Sequence, residues 1–205
     1  MIGRRSRVLQ QSDWQHVPLF PLSQPLYPGV SFRLRIFEQR YLRLVRESVS
    51  RGTPFAVVPI ISGREVGAPP EFYPWGTLVN IMDWEQQPDG LLGITIRGDR
   101  RARVRGSEVE KDGLIVAQAR VSEADDSDRP GRLYDDLQQL LEELVAGLEM
   151  DSLFPDEPLT LASLGWRLAT ILPLQTSIKM RLLAEDDARE RLAMIRQGIA
   201  DMVGE

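Results

Sequence analysis

The chain has 205 residues, of which 42% are hydrophobic and 27% are charged, and this is ordinary usage for a globular protein that buries its own core. It contains no Cys, which excludes disulfides, thiolate nucleophiles and Cys-based metal sites and suits a reducing compartment. The sequence predicts neither a secretory leader nor a membrane-spanning run of about 18 apolar residues. We therefore expect a cytoplasmic protein that does not enter the membrane.

The net charge of −5 is unevenly distributed along the chain. Residues 1–121 carry 17 Lys and Arg against 12 Asp and Glu, whereas residues 122–205 carry 8 against 18. Such asymmetry indicates either two parts that attract one another or a basic face that meets an acidic partner. The charge pattern alone does not choose between them.

The first predicted elements are a strand and a helix. Apolar residues alternate with polar ones in a half-buried strand, and they are Val30, Phe32, Leu34 and Ile36. The spacing then becomes helical, with a buried stripe of Phe37, Tyr41, Leu44, Val45 and Ser48. The residues predicted to face away from this stripe are Glu38, Arg40, Arg43 and Glu47. Gly52 is expected to end the helix in a left-handed cap.

Several further strands follow. The apolar run 55–61 predicts a buried strand, and residues 63–76 form an unusually aromatic loop. Strands 77–84 and 91–97 flank a turn at residues 88–90, and a second turn is predicted at Gly98 and Asp99. The next strand places Arg101, Arg103 and Arg105 on a solvated face, and residues 114–121 form a last strand. At least six strands with one inserted helix predict a small mixed β-barrel.

The segment 122–131 is acidic, contains Pro and Gly, and lacks apolar periodicity, so we predict a linker between a β-rich subdomain (1–121) and a helical bundle (132–205). Three leucine-rich stripes predict helices over 133–148, 161–172 and 192–202, and a shorter helix is predicted from about Ser177 to Glu185. Asp187 with Glu190 has the form of a capping box for the last helix.

The residues do not support a catalytic or cofactor site. No phosphate-binding glycine motif occurs, and His16 is the one His, which excludes most metal and triad chemistry. Ser177 and Lys179 lie two residues apart, a spacing that does not let their side chains meet on a helix. The arginine-rich strand could contact phosphates, but the acidic second part and the pI of about 5.1 make nucleic-acid binding an unfavourable interpretation. We predict no cofactor and no metal.

The order of motifs resembles the Lon N-terminal domain family. The matching segments are Leu19–Leu22, Leu26–Gly29 and Leu34–Leu42, then Phe55–Val58, Gly63–Val66, Gly76–Thr77, Asp89–Gly90 and Leu172–Leu174. In the protease Lon this domain precedes the ATPase and peptidase parts and helps to engage substrates, and the present chain ends before either part. The resemblance thus implies an α+β fold, a PUA-like mixed β-barrel with an inserted helix followed by a C-terminal helical bundle. It also implies a non-enzymatic domain that binds unfolded or partner polypeptide, as an accessory to proteolysis or protein quality control, and it leaves the oligomeric state open.

Two groups of residues are candidates for a binding site. The aromatic residues Phe72, Tyr73, Trp75 and Trp84 could form an apolar groove for peptide, since aromatic side chains give large contact areas. The motif residues Arg35, Glu38 and Arg40 could form a second surface, although their regularity is more simply explained by packing, with Ile36 and Tyr41 in the core and Glu38 paired with an Arg. Core cover by the aromatic loop remains open, as does small-molecule or nucleic-acid binding through the barrel. If the loop binds peptide, Trp75→Ala should weaken binding and leave stability largely unchanged.

Overall fold

The computed structural model describes residues 14–125, 128–148 and 153–204. Seven strands come first, interrupted by one helix: β1 (Gln15–Leu22), β2 (Ser31–Ile36), α1 (Gln39–Arg51), β3 (Phe55–Ser62), β4 (Glu71–Phe72), β5 (Trp75–Gln86), β6 (Leu92–Val109) and β7 (Ile115–Val121). A short 3₁₀ turn (Arg132–Tyr134) then leads into four helices: α2 (Asp135–Leu148), α3 (Leu161–Ile171), α4 (Thr176–Ala184) and α5 (Ala188–Val203). The chain is thus a mixed α+β protein.

Strand β1 is absent from the sequence-based prediction, in which the first strand is that of Val30 to Ile36. Pro18 and Pro21 interrupt its strand pattern because neither has an N–H group for a ladder. The strand is nevertheless central, since it pairs in parallel with β3 and in an antiparallel manner with β7. Leu19 has Ala56 as its neighbour on one side and Ile115 on the other.

Pairings in the sheet form a ring. The order β1–β7–β6–β5–β3 returns to β1 through the parallel β1–β3 pair, and β4 adds to β3. Strand β2 lies off this path and pairs with β6 alone among the described strands. One edge of β2 is therefore left without a strand neighbour in the described part of the chain.

Strand β6 runs without a break through Gly98 and Asp99, so the turn predicted there is wrong. Gly98 instead lets the main chain of β6 lie close to that of residues 27–30. The Gly98 N–H donates to the Val30 carbonyl, and the Gly98 carbonyl accepts from the Gly29 N–H, both at 2.9 Å. A Cβ at this position would overlap the carbonyl oxygen of Tyr27. Glycine is needed here for space rather than for a turn. The turn predicted around Gly90 is confirmed, with a φ of 85° at that residue.

Helix α1 follows its predicted pattern at most positions. Gly52 ends it with a φ of 62°, and the Gly52 N–H donates to the carbonyl of Ser48. Two residues depart from the predicted pattern: Phe37 was expected to be buried and is 51% exposed, and Arg40 was expected to face solvent and is buried. Its guanidinium forms an ion pair with Glu38 at 2.9 Å and donates to the Gly113 carbonyl at 3.1 Å.

The C-terminal helices bury most of the predicted stripes. All four leucines of the α3 stripe are buried, as are Leu137 and Leu141 of α2. Leu133 was predicted to join them but is 71% exposed, because it lies in the 3₁₀ turn before the helix begins. A capping box does occur, at Thr160 and Ser163 of α3.

The helix predicted from about Ser177 to Glu185 is confirmed to within one residue by α4, which begins at Thr176 and ends at Ala184. The predicted cap of α5 is confirmed only in part. Asp187 does cap α5, and its carboxylate accepts the Arg189 N–H at 2.7 Å. The Asp187 N–H, however, donates to Glu185 instead of to Glu190, so the predicted reciprocal box does not form.

One core cluster contains residues from the sheet, its connections and the C-terminal helices. Tyr27, between β1 and β2, stacks on Trp166 of α3 with ring centroids 5.2 Å apart. Arg101 lies at the junction between the sheet and the C-terminal helices. It was predicted on a solvated face and is 4% exposed, donating to the carbonyls of Leu183 and Glu185 at 3.1 and 2.9 Å. Alternation along β6 could not reveal this because α4 and α5 cover that part of the strand.

Candidate functional site

The structure does not bring the four predicted aromatic residues together. Phe72 is partly buried against a small second cluster, whereas Trp75 is partly buried against the main core. The Tyr73 N–H donates to the Pro59 carbonyl at 2.8 Å, which ties the segment to β3. Trp84 lies on another part of the surface and is 62% exposed. The contacts of Phe72 and Trp75 are those of core cover, and a peptide-binding role for these residues stays a prediction.

Trp75→Ala should lower the free energy of unfolding by about 1.5 to 2.5 kcal/mol, roughly half the usual loss for a fully buried Trp. The ring packs on the core and lies under the Arg101 guanidinium, 5.5 Å from its centroid. Urea unfolding followed by circular dichroism measures the change. Trp84→Ala is the matched control and should cost less than about 0.5 kcal/mol because its ring is exposed. Equal stability of both variants would restore Trp75 as a candidate binding residue.

The motif residues Arg35, Glu38 and Arg40 have separate partners. Arg35 forms an ion pair with Asp89 on the β5–β6 turn, and Glu38 pairs with the buried Arg40. Ile36 and Tyr41 are buried, as the packing interpretation of this motif predicted. The charged residues of this motif are therefore engaged in local ion pairs, and Arg40 also connects the start of α1 to Gly113.

A cleft of about 390 Å³ lies next to this motif. Its floor consists of buried apolar side chains, and they are Phe20, Leu22, Leu26, Leu34 and Tyr41. The Phe20 and Tyr41 rings contact each other with centroids 4.2 Å apart. Burial raises the pKa of Tyr41 to about 12, so its phenol is neutral at ordinary pH. The floor thus carries no net charge.

The rim of the cleft exposes three large apolar side chains. Phe32 is 43% exposed, Phe37 is 51% exposed and Val66 is 52% exposed. We call these three residues the apolar rim. Large apolar side chains grouped around a concave apolar floor are typical of a contact surface for a partner or ligand.

Most charged side chains at the cleft already have a hydrogen-bond or ion-pair partner. The Glu65 carboxylate accepts the Ser23 N–H at 2.6 Å, and Glu38 is paired with Arg40. Arg33 and Arg35 also border the cleft, and Arg35 is paired with Asp89. No acidic group of the described residues lies within ion-pair distance of Arg33.

A second hollow, of about 250 Å³, lies beside the first. Trp84 borders it together with Arg33, Leu34 and Arg35, so the two concavities share the strand β2. Of the predicted aromatic residues, Trp84 is thus the one that lies near the cleft.

Sequence reasoning missed Phe32 and Phe37 because it assigned both to buried faces. Phe32 obeys the period of two in β2 but is 43% exposed, and Phe37 precedes α1, which begins at Gln39, and is 51% exposed. The charged residues Arg35 and Glu38 near Phe37 are the signal that could have indicated its exposure.

No group of three or more His, Asp or Glu side chains that could hold a metal occurs in the described ranges. Helices long and apolar enough to cross a membrane are also absent from them.

Comparison with known families identifies the family of this chain. Residues 16–200 match the family model of the ATP-dependent protease La (LON) substrate-binding domain. The chain belongs to the Lon substrate-binding domain family. The resemblance seen in the motifs is therefore confirmed.

Two solved structures are similar to this chain. A Lon N-terminal domain protein from Xanthomonas campestris is 37% identical, with 89% of this chain and 98% of that chain covered and a TM-score of 0.74. The N-terminal domain of the Mycobacterium avium complex Lon protease is 16% identical, covers 91% of this chain and 99% of that chain, and has a TM-score of 0.61, so it shows the fold alone. No curated protein sequence matches the chain.

Proposed function

We propose that this Lon substrate-binding domain binds unfolded or partner polypeptide in the cleft next to β2 and catalyses no reaction itself. The observation that carries the proposal is the apolar rim, three exposed side chains around a neutral apolar floor. Burying the exposed half of each would contribute about 1 kcal/mol, since full burial of such a side chain is worth about 1.5 to 3 kcal/mol. Membership in a family described as substrate-binding supports the same role.

The polar groups around the cleft also favour polypeptide. Sites for small polar ligands have a few converging, unengaged polar groups, whereas Glu38 and Glu65 here already have partners. A small apolar ligand is the second candidate, because about 390 Å³ lies within the usual range of ligand pockets. Competition between such a ligand and polypeptide would be expected at the same floor.

The cellular role of the protein and its division into subdomains are also proposals. We infer an accessory role in protein quality control or proteolysis in the cytoplasm, consistent with the absence of Cys. We also propose that residues 122–131 link a β-rich subdomain to a helical bundle, since the described residues of this segment form neither a strand nor a helix. The ring of pairings from β1 back to β1 supports a PUA-like barrel, and α2 to α5 support a helical bundle.

Binding of a permanently unfolded protein tests the proposed function. Reduced, carboxymethylated α-lactalbumin should bind with a micromolar Kd, because an open apolar cleft of this size gives modest affinity. Native, disulfide-bonded α-lactalbumin is the control and should bind at least about tenfold more weakly since its apolar residues are buried. Isothermal titration calorimetry measures both. Equal binding of the two forms, or no binding of either, would contradict the proposal.

A further inference from the structure

The free edge of β2 presents main-chain groups to the cleft. The Gly98 N–H donates to the Val30 carbonyl, and the antiparallel register continues unshifted to Ile36 opposite Leu92. Bonded and non-bonded pairs alternate in such a ladder, so even-numbered residues of β2 bond to β6 and the N–H and C=O groups of Arg33 and Arg35 point outward. Beyond β6, no described residue hydrogen-bonds to the main chain of these two arginines.

The cleft follows this edge rather than one face of the sheet. Successive side chains of a strand point to opposite faces, with Phe32 and Leu34 on one and Arg33 and Arg35 on the other. All four residues nevertheless border the same cleft. A cleft lined by consecutive residues of a strand runs along the strand's edge, where both faces can be reached.

Charge differs between the two faces at this edge. Phe32 and Leu34 contribute an apolar side, which continues into the apolar rim and the floor. The opposite side carries Arg33 and Arg35, and Arg33 has no ion-pair partner among the described residues. The carboxylates at the cleft, Glu38 and Glu65, are already engaged. Asp83 and Glu85 border the neighbouring hollow with Arg33, yet neither of these described carboxylates forms an ion pair with it. An occupant complementary to the unpaired guanidinium carries negative charge where it meets Arg33.

We propose that the occupant is an extended polypeptide segment that adds to the free edge of β2 as a further strand and alternates apolar with acidic residues. This inference rests on the proposed function and specifies its substrate class. Directly opposed residues of paired strands share a face, so the apolar side chains contact Phe32 and Leu34 while the acidic ones face Arg33 and Arg35. A helical segment does not fit, because its main-chain N–H groups are already used within the helix.

Backbone methylation of a peptide tests strand addition directly. The probe is a short fluorescein-labelled peptide that alternates Val with Glu, and its affinity is measured by fluorescence anisotropy. One version is N-methylated at every Val and another at every Glu. In an added strand one of these sets donates hydrogen bonds to β2 and the other faces away. Methylation of the donating set should weaken binding at least about tenfold, and methylation of the other set less than about threefold. Equal effects of the two sets would overturn strand addition.

Charge reversal tests the acidic preference. Arg33→Glu should weaken binding of the Val/Glu peptide at least about tenfold and favour a peptide that alternates Val with Lys. Arg46→Glu is the matched control, since Arg46 is exposed on α1 outside the cleft, and it should change either affinity by less than about twofold. Unchanged preference in Arg33→Glu would overturn the charge assignment.

Binding of the unfolded protein distinguishes polypeptide binding in general from strand addition to β2. If carboxymethylated α-lactalbumin binds but both methylated peptides behave alike, polypeptide binding stands and strand addition is wrong. If neither the unfolded protein nor any peptide binds, the proposed function itself is contradicted.

Discussion

Asp125→Ala is expected to lower the free energy of unfolding by about 3 to 5 kcal/mol, the usual loss when one partner of a buried ion pair is removed. Asp125 Oδ1 lies 3.4 Å from Arg191 Nη2 and 3.8 Å from Arg101 Nη2. Its other oxygen accepts the Trp166 indole N–H at 2.8 Å. Asp125 thus connects β6, α3 and α5 at the junction between the sheet and the helices.

The loss is large because both arginines are buried, Arg191 at 1% exposure and Arg101 at 4%. Their guanidinium groups lie over the same Trp166 ring, at 3.9 and 5.7 Å from its centroid. Burial lowers the pKa of Arg191, and Asp125 opposes this shift. Without Asp125, two like charges share a region of low dielectric, and Arg101 keeps only the exposed Asp186 as its acidic partner among the described residues.

Urea unfolding followed by circular dichroism measures the effect of Asp125→Ala. Glu123→Gln is the control, because Glu123 is an exposed acidic residue two positions earlier, and we expect a change below about 0.5 kcal/mol. A loss of less than about 1 kcal/mol in Asp125→Ala would show that the junction does not depend on this carboxylate.

The double variant Phe32→Ser, Phe37→Ser should weaken binding of carboxymethylated α-lactalbumin by about 10- to 100-fold. Each ring is about half exposed, so binding would bury the remaining surface and contribute about 1 kcal/mol or somewhat more per ring. Removing the rings should change the free energy of unfolding much less than removing a fully buried Phe would. Calorimetric titration of the double variant measures the change in affinity, with urea unfolding as a check on stability.

Leu133→Ser is the matched control for that experiment. Leu133 is also a large apolar residue, is 71% exposed, and lies outside the cleft. It should leave affinity within about twofold of wild type. If Leu133→Ser weakened binding as much as the double variant, the effect would come from general surface hydrophobicity rather than from the cleft.

Local patterns predicted much of the fold. Alternation identified β2, helical spacing identified α1 and the buried face of α3, and Gly52 and Gly90 marked a helix end and a turn correctly. These features depend on a few neighbouring residues, which is why one sequence suffices. Strand β1 was missed because its prolines weaken the local strand pattern, although the strand pairs with β3 on one side and β7 on the other.

Burial of charged side chains could not be predicted in the same way. Arg40 and Arg101 occupy positions that periodicity assigns to solvent, yet residues distant in sequence cover them: Gly113 contacts Arg40, and Leu183 to Asp186 contact Arg101. Gly98 is a similar case, since the main chain that excludes a side chain there is that of Tyr27. Only the tertiary fold supplies these contacts.

The motif 34–42 lies next to the cleft that we propose as the binding site, whereas the aromatic residues predicted for binding are divided between two clusters and a separate hollow. Phe32 and Phe37 were assigned to the core because a periodic pattern does not say where the covering neighbours end. The cleft emerges only when β2, α1 and residues 65–66 come together.

Hydrogen exchange measured by mass spectrometry, with and without carboxymethylated α-lactalbumin, tests the central claim most directly. The main-chain N–H groups of Arg33 and Arg35 face the cleft and should exchange quickly in the free protein. Bound polypeptide is predicted to slow exchange in segments covering residues 31–38 and 65–66 and to leave residues 71–75 unchanged. Protection confined to residues 71–75, or no protection at residues 31–38, would contradict a binding site in the cleft beside β2.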